Sequence, residues 1–164
     1  DFAWEDINKD GFKDIIIASG DNGDFSLIQK PYHGIRFFIN DKRNHFKEEL
    51  FLPLQGATGL QLADFDNDGD IDVAAIVNFA DYSKKPHKSF VLYDNESFPS
   101  FKPYISDKTD VGRWLVAEKG DFDQDGDIDL ILGSHLINLM VGRETLMQWK
   151  DVQTDLLILR NKSK

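Results

Sequence analysis

A nine-residue acidic pattern occurs three times in this chain at a nearly constant spacing. It reads Asp-x-Asp/Asn-x-Asp-Gly-x-x-Asp, and its copies begin at Asp6, Asp64 and Asp121, which are 58 and 57 residues apart. We call the copies loop 1 (residues 6–14), loop 2 (64–72) and loop 3 (121–129), and number their residues as positions 1 to 9. Self-similarity at a fixed period is typical of repeat architectures, so the chain is predicted to contain about three similar units.

Short apolar stretches flank every loop, and a further apolar run ending in Asn follows later in the repeat. In the second repeat these runs are Leu60–Ala63, Val73–Val77 and Phe90–Asn95, and Phe101 stands six residues after the Asn. Runs rich in β-branched and aromatic residues, bounded by Gly, Asn, Asp and Pro, predict strands. Each repeat would supply about four strands, with the acidic loop joining the first two as a hairpin.

The predicted fold class is therefore all-β: about three four-stranded blades of a partial β-propeller, with the acidic loops between the first two strands of each blade. The predicted boundaries are residues 1–57 for repeat one, 58–112 for repeat two and 113–164 for repeat three, which lacks its last strand. In repeat three, the connection between the second and third strands is expected to contain a helical turn or more between Asn138 and Lys150. Trp149 lies in this connection and is either a core residue or a ligand contact.

Loops 2 and 3 each contain five Asp among their nine residues. Carboxylates at this density repel one another unless a cation neutralises them. Alternate positions 1, 3 and 5 can converge on one point when the loop curls, and Gly at position 6 permits the sharp turn. Oxygen ligands favour a hard cation, and a flexible loop favours Ca²⁺ over Mg²⁺. The alternative is three solvated acidic turns without metal, because Asp, Asn and Gly are also turn residues.

The predicted ligands are the side chains at positions 1, 3, 5 and 9, with the backbone carbonyl of position 7. The loop differs from an EF-hand, because an apolar residue stands at position 12, where that motif has an acid. Up to three Ca²⁺ ions are expected. The ligand residues are Asp6, Asn8, Asp10, Phe12 and Asp14 in loop 1, Asp64, Asp66, Asp68, Asp70 and Asp72 in loop 2, and Asp121, Asp123, Asp125, Asp127 and Asp129 in loop 3.

The overall charge excludes several classes of partner. With 19 basic and 29 acidic residues the net charge is −10, which argues against binding to nucleic acid or to an anionic membrane surface. The longest apolar runs are about five residues, too short to span a membrane. The chain has no Cys, and its four His residues are scattered. No catalytic constellation is evident outside the acidic loops.

The spaced Asp loops, each followed by an apolar strand, resemble the FG-GAP/VCBS-type repeat. That repeat builds the β-propeller head of integrin α subunits and of many bacterial surface and secreted proteins. The resemblance implies a Ca²⁺ ion in the loop between the first two strands of each blade. The literal Phe-Gly and Gly-Ala-Pro elements are absent, and Gly56-Ala57-Thr58 is the nearest remnant. This departure places the chain nearer the bacterial branch than the integrins.

The expected function is that of a non-catalytic, Ca²⁺-binding propeller segment of an extracellular, secreted or cell-surface protein, with the periplasm as a further possible location. It would bind a protein or glycan, and would be completed by further blades of the same protein or of another chain. The alternatives are the propeller portion of a secreted carbohydrate-active enzyme, similar to a polysaccharide lyase, and a structural assembly subunit.

Overall fold

The computed structural model describes residues 1–21, 28, 30–83, 87–136 and 141–163. Within these ranges the protein is all-β, as predicted, and its strands form three antiparallel sheets in chain order. Sheet 1 contains β1 (Phe2–Glu5), β2 (Asp14–Ser19), β3 (Gly34–Asn40) and β4 (Phe46–Pro53); sheet 2 contains β5 (Gly59–Ala63), β6 (Asp72–Ile76), β7 (Phe90–Ser97) and β8 (Ser100–Tyr104); sheet 3 contains β9 (Trp114–Gly120), β10 (Asp129–Ser134) and β11 (Leu156–Leu159).

Every sheet is a simple meander in which consecutive strands pair. Phe2 faces Ile17 across the first hairpin of sheet 1, and Leu60 faces Ala75 across that of sheet 2. Sheet 3 has three strands among the described residues, in the order β11-β10-β9. The predicted repeat boundaries remain predictions.

Sheet 2 is the middle layer of the molecule and is buried on both faces. Val73 and Ala75 belong to the core shared with sheet 1, whereas Ala74 and Ile76 belong to the core shared with sheet 3. All five residues of β6 are buried. A strand covered on both faces needs no polar alternation, which explains the continuous apolar run in the sequence.

The first strands of the three sheets are neighbours. β1 contacts β5, and β5 contacts β9. The Leu60 N–H donates to Asp1 Oδ2 at 3.0 Å, and Gln61 Nε2 donates to the Ala117 carbonyl oxygen at 3.0 Å. Successive sheets are therefore held together along their first strands as well as through their apolar faces.

A helix, α1 (Arg143–Val152), precedes β11. This agrees with the helical segment predicted between Asn138 and Lys150, of which residues 138–140 lie outside the described part. Trp149 of α1 is 1% exposed, and its ring lies 5.2 Å from that of Tyr82 and 5.9 Å from that of His87. Its Nε1 donates to the Asp110 carbonyl oxygen at 2.7 Å. Trp149 is thus a core residue that anchors the helix. No described helix is both long and apolar enough to cross a membrane.

Candidate metal centres

Each acidic loop is the hairpin connection between the first two strands of a sheet. Position 9 is the first residue of the second strand in all three sheets. The backbone is left-handed twice in every loop, with φ of 58° to 62° at position 4 and 89° to 93° at position 6. Position 6 is Gly in every loop because a residue with a side chain is strained at φ values of 89° to 93°.

The loop backbone is folded around its own carboxylates. In loop 2 the Gly69 N–H donates to Asp64 Oδ2 at 2.9 Å, and the Asp70 N–H donates to Asp68 Oδ1 at 2.7 Å. The same two hydrogen bonds recur in the other loops. The bond from position 6 to position 1 measures 2.8 Å in loop 1 and 3.0 Å in loop 3, and the bond from position 7 to position 5 measures 3.0 Å in loop 1 and 2.9 Å in loop 3. Local bonds of Asp to backbone N–H groups favour turns, so these bonds contribute to the curl of the loop.

Position 9 carries a buried carboxylate that ties three segments of each sheet together. Asp72 is 2% exposed, and it accepts hydrogen bonds from the Phe65 N–H at Oδ2 and from the Asn95 N–H at Oδ1, both at 2.8 Å. Asn95 Nδ2 in turn donates to the Ile71 carbonyl oxygen at 3.1 Å. The acid and the Asn of this arrangement are Asp14 and Asn40 in sheet 1, and Asp129 and Asn161 in sheet 3.

The Asn at or near the end of each third strand is a site residue to which the sequence pattern assigned no role. Its recurrence in all three repeats was the available signal. Asn40, Asn95 and Asn161 lie 26, 23 and 32 residues after their position-9 partners. Because these separations differ, spacing alone could not pair them.

Two loops bring three carboxylates close enough to share one ion. The grouped residues occupy positions 1, 3 and 9, and one oxygen from each lies within 4.8 Å of the others. Ca²⁺ binds oxygen at about 2.4 Å, so two ligands of one ion can be up to about 4.8 Å apart. The groups are Asp64, Asp66 and Asp72 in loop 2, and Asp121, Asp123 and Asp129 in loop 3.

Position 5 stands outside these two groups. Asp68 is grouped instead with Asp66 and with Asp94 of β7, a residue that the sequence analysis did not single out. Asp125 belongs to no such group among the residues that the structure describes. The ligand roles of position 5 and of the position-7 carbonyl therefore stay predictions, while positions 1, 3 and 9 are brought together in loops 2 and 3.

Loop 1 differs from the other two in its side chains. Position 3 is Asn8, whose Oδ1 accepts a hydrogen bond from the Asp10 N–H at 3.0 Å. Lys42 Nζ lies 3.4 Å from Asp10 Oδ2. A cationic side chain also lies beside one carboxylate of each other loop, Lys9 beside Asp70 and Arg160 beside Asp123, so the feature that sets loop 1 apart is Asn8. In the described chain no group of three acids forms in loop 1.

The electrostatics of loop 2 favour a bound cation. Burial raises the pKa of Asp72 to about 6, against the opposing effect of its two backbone hydrogen bonds, and the nearby carboxylates of Asp66 and Asp94 raise it further. Burial also raises the pKa of Asp66. Asp64 Oδ1 is buried and has no hydrogen-bond partner among the residues that the structure describes. A buried carboxylate oxygen without a donor is unfavourable, so the site suits a hard divalent cation.

The fold and the loops together define a repetitive all-β protein with one acidic hairpin loop per sheet. Residues 6–75 match the FG-GAP-like repeat family. The matched segment runs from loop 1 through loop 2 into β6. Within residues 6–75 the chain therefore carries an FG-GAP-like repeat, as its loop pattern predicted, and loop 3 lies outside the matched segment. No curated protein matches the chain.

Proposed function

We propose that this chain is a Ca²⁺-stabilised, non-catalytic β-propeller segment of an extracellular or cell-surface protein, and that it binds a protein or glycan. The observation that carries the metal assignment is the recurrence of one carboxylate group, at positions 1, 3 and 9, in two separate sheets. Asp64 Oδ1, which is buried without a hydrogen-bond partner in the described part of the chain, also supports it. Three ions would change the net charge from −10 to about −4.

The stacking of the sheets supports the propeller. Blades of a propeller pack face to face with their first strands around a central axis. Here β1, β5 and β9 are neighbours, and apolar cores lie between successive sheets. Closed propellers have about four to eight blades, so the three sheets would be completed by further blades of the same protein or of another chain.

The extracellular location is part of this proposal, and the occupancy that weak calcium sites would need supports it. Extracellular calcium modules bind with Kd values of about 10⁻⁴–10⁻³ M, which only the calcium concentration outside cells would fill. The ligand would bind at the strand ends opposite the acidic loops. In an antiparallel meander the connections after the second strand leave at that end, and these connections vary in length, as is common for binding loops.

The metal assignment predicts that calcium stabilises the protein. At 10 mM Ca²⁺ each site of this affinity contributes about 1.4–2.7 kcal/mol, and two sites raise the Tm by about 10 °C. Thermal unfolding followed by circular dichroism, with calcium and then with chelator, measures the shift. Asp64→Asn should remove a large part of the calcium-dependent shift, because it replaces a ligand oxygen without changing side-chain size.

Asp107→Asn is the matched control, since it removes one exposed carboxylate outside the loops. It should leave the calcium-dependent shift unchanged. Equal Tm values in calcium and in chelator for the unmodified protein would contradict the metal assignment. Binding is tested separately with a panel of oligosaccharides in calcium. Saturable binding without cleavage supports a binding module, and turnover would contradict the non-catalytic assignment.

Loop 1 should bind calcium most weakly. Lys9 and Lys13 reduce its formal charge to about −1, against −5 for loops 2 and 3, and Lys42 lies beside Asp10. The amide resonances of Gly11, Gly69 and Gly126 report one loop each in an NMR titration with calcium. We expect Gly11 to shift last. A titration in which Gly11 shifts first would contradict this order.

A further inference from the structure

Neighbouring acidic loops contact one another in a repeated register. Lys9, at position 4 of loop 1, forms an ion pair with Asp70, at position 7 of loop 2. Asn67, at position 4 of loop 2, donates from Nδ2 to Asp127 Oδ1, at position 7 of loop 3, with a distance of 3.1 Å. Both contacts run from position 4 of one loop to position 7 of the next, and we call them the loop-to-loop contacts.

The loop backbone makes this register possible. Position 4 has a left-handed backbone in every loop. In loops 2 and 3 the residue at position 7 donates its own N–H to the position-5 carboxylate of the same loop, at 2.7 and 2.9 Å. A position-7 carboxylate therefore lies between its own loop and a donor from the preceding one.

The residue types at position 7 agree with this role. The side chains of Asp70 and Asp127 lie outside the groups formed by positions 1, 3 and 9. Loop 1, which no other loop precedes in the described chain, has Phe12 at this position. A carboxylate thus stands at position 7 where a donor from the preceding loop reaches it.

We propose that the residue at position 4 of each loop positions the following loop for calcium, so that the loop-to-loop contacts couple neighbouring metal sites. This inference rests on the proposed function, in which the loops bind calcium. The physical reason is preorganisation: a position-7 carboxylate held from outside fixes the turn that presents the ligands, and less ordering remains to be done when the ion binds.

Asn67→Asp tests the proposal with an effect of definite sign. The exposed side chain changes little in size, and Asp tolerates a left-handed backbone, so the variant should fold. The introduced carboxylate would repel Asp127 and break the contact. We expect the calcium Kd of loop 3, followed at the Gly126 amide, to rise about three- to tenfold, while that of loop 1 stays unchanged.

A purely electrostatic role for position 4 predicts the opposite result. An added negative charge near a cation site tightens binding unless it disrupts the site. Gln124→Glu is the matched control, because Gln124 occupies position 4 of loop 3 and no further acidic loop follows it in the described chain. It should leave the Kd of loop 3 unchanged or lower it. Tighter or unchanged binding at Gly126 in Asn67→Asp would overturn the inference.

A donor and acceptor exchange completes the test. In the double variant Asn67→Asp/Asp127→Asn the new amide at residue 127 can donate to the new carboxylate at residue 67. The calcium Kd of loop 3 in this double variant should therefore be less than about twofold higher than in the single variant Asp127→Asn. Purely additive effects of the two substitutions would overturn the coupling while leaving the metal assignment intact. Absence of any calcium-dependent shift at the three Gly amides of the unmodified protein would overturn both proposals.

Discussion

Trp149→Ala is expected to lower the free energy of unfolding by about 3–5 kcal/mol. The indole is 1% exposed and packs edge-on against Tyr82 and His87. Its removal leaves a cavity where α1 meets the loops of sheet 2, and the Asp110 carbonyl oxygen loses the hydrogen bond from Nε1. Urea unfolding followed by far-ultraviolet circular dichroism measures the change without relying on tryptophan fluorescence.

Two further variants separate the contribution of indole packing from that of the Nε1 hydrogen bond and from any general effect of substitution in α1. Trp149→Phe retains an aromatic ring but loses the N–H, so we expect a smaller loss of about 1–3 kcal/mol. Met147→Ala changes a side chain that is 51% exposed on the same helix, and should cost less than about 0.5 kcal/mol. A loss below 1 kcal/mol in Trp149→Ala, on the order of a surface substitution, would show that α1 contributes little to the fold.

Asp129→Ala is expected to destabilise the protein by about 2–4 kcal/mol even in chelator, because two backbone donors lose their acceptor. These donors are the N–H groups of Phe122, at 3.1 Å, and Asn161, at 2.8 Å. Removing one charge from the group with Asp121 and Asp123 offsets a small part of the loss. Urea unfolding with and without calcium measures both contributions.

Comparison with Asp121→Asn separates the effect of a substitution on the stability of the fold from its effect on calcium binding. This substitution alters the position-1 ligand of the same loop, and its amide oxygen can still accept from the Gly126 N–H, which lies 3.0 Å from Asp121 Oδ2. The exposed Asp125 N–H, which donates to Asp121 Oδ1 at 3.1 Å, loses its acceptor. We therefore expect a smaller loss in chelator than for Asp129→Ala, together with a loss of the calcium-dependent stability of loop 3. If Asp129→Ala also acted only in calcium, position 9 would be a ligand without the structural role that its burial indicates.

The sequence predicted the strands and the loops well because both are encoded locally. Alternation and β-branching mark the strands. The Asp spacing and the Gly at position 6 mark the curled hairpin, whose internal hydrogen bonds join residues at most seven apart. The family match over residues 6–75 confirms the repeat assignment made from those features for the segment that holds loops 1 and 2. Calcium binding, the propeller and the extracellular role remain proposals.

The partners of buried polar groups could not be predicted, because they join distant segments. Arg113 is 1% exposed, and its Nε donates to the Asn78 carbonyl oxygen, 35 residues away, at 3.0 Å. Trp149 and Asp110 are 39 residues apart. Sequence patterns report which face of a strand is apolar, but the identity of the group opposite a buried donor depends on how the sheets pack.

The same division holds within the candidate metal sites. The sequence by itself determined that oxygen-bearing side chains would be concentrated in three similar hairpins, because residue type and spacing within nine residues are local properties. The tertiary structure decided that positions 1, 3 and 9 converge in loops 2 and 3 while position 5 lies outside these groups, and that Asn95 donates to Asp72 at position 9. It also decided that Asn67 reaches Asp127, 60 residues away, because only the stacking of one sheet on the next brings two loops side by side.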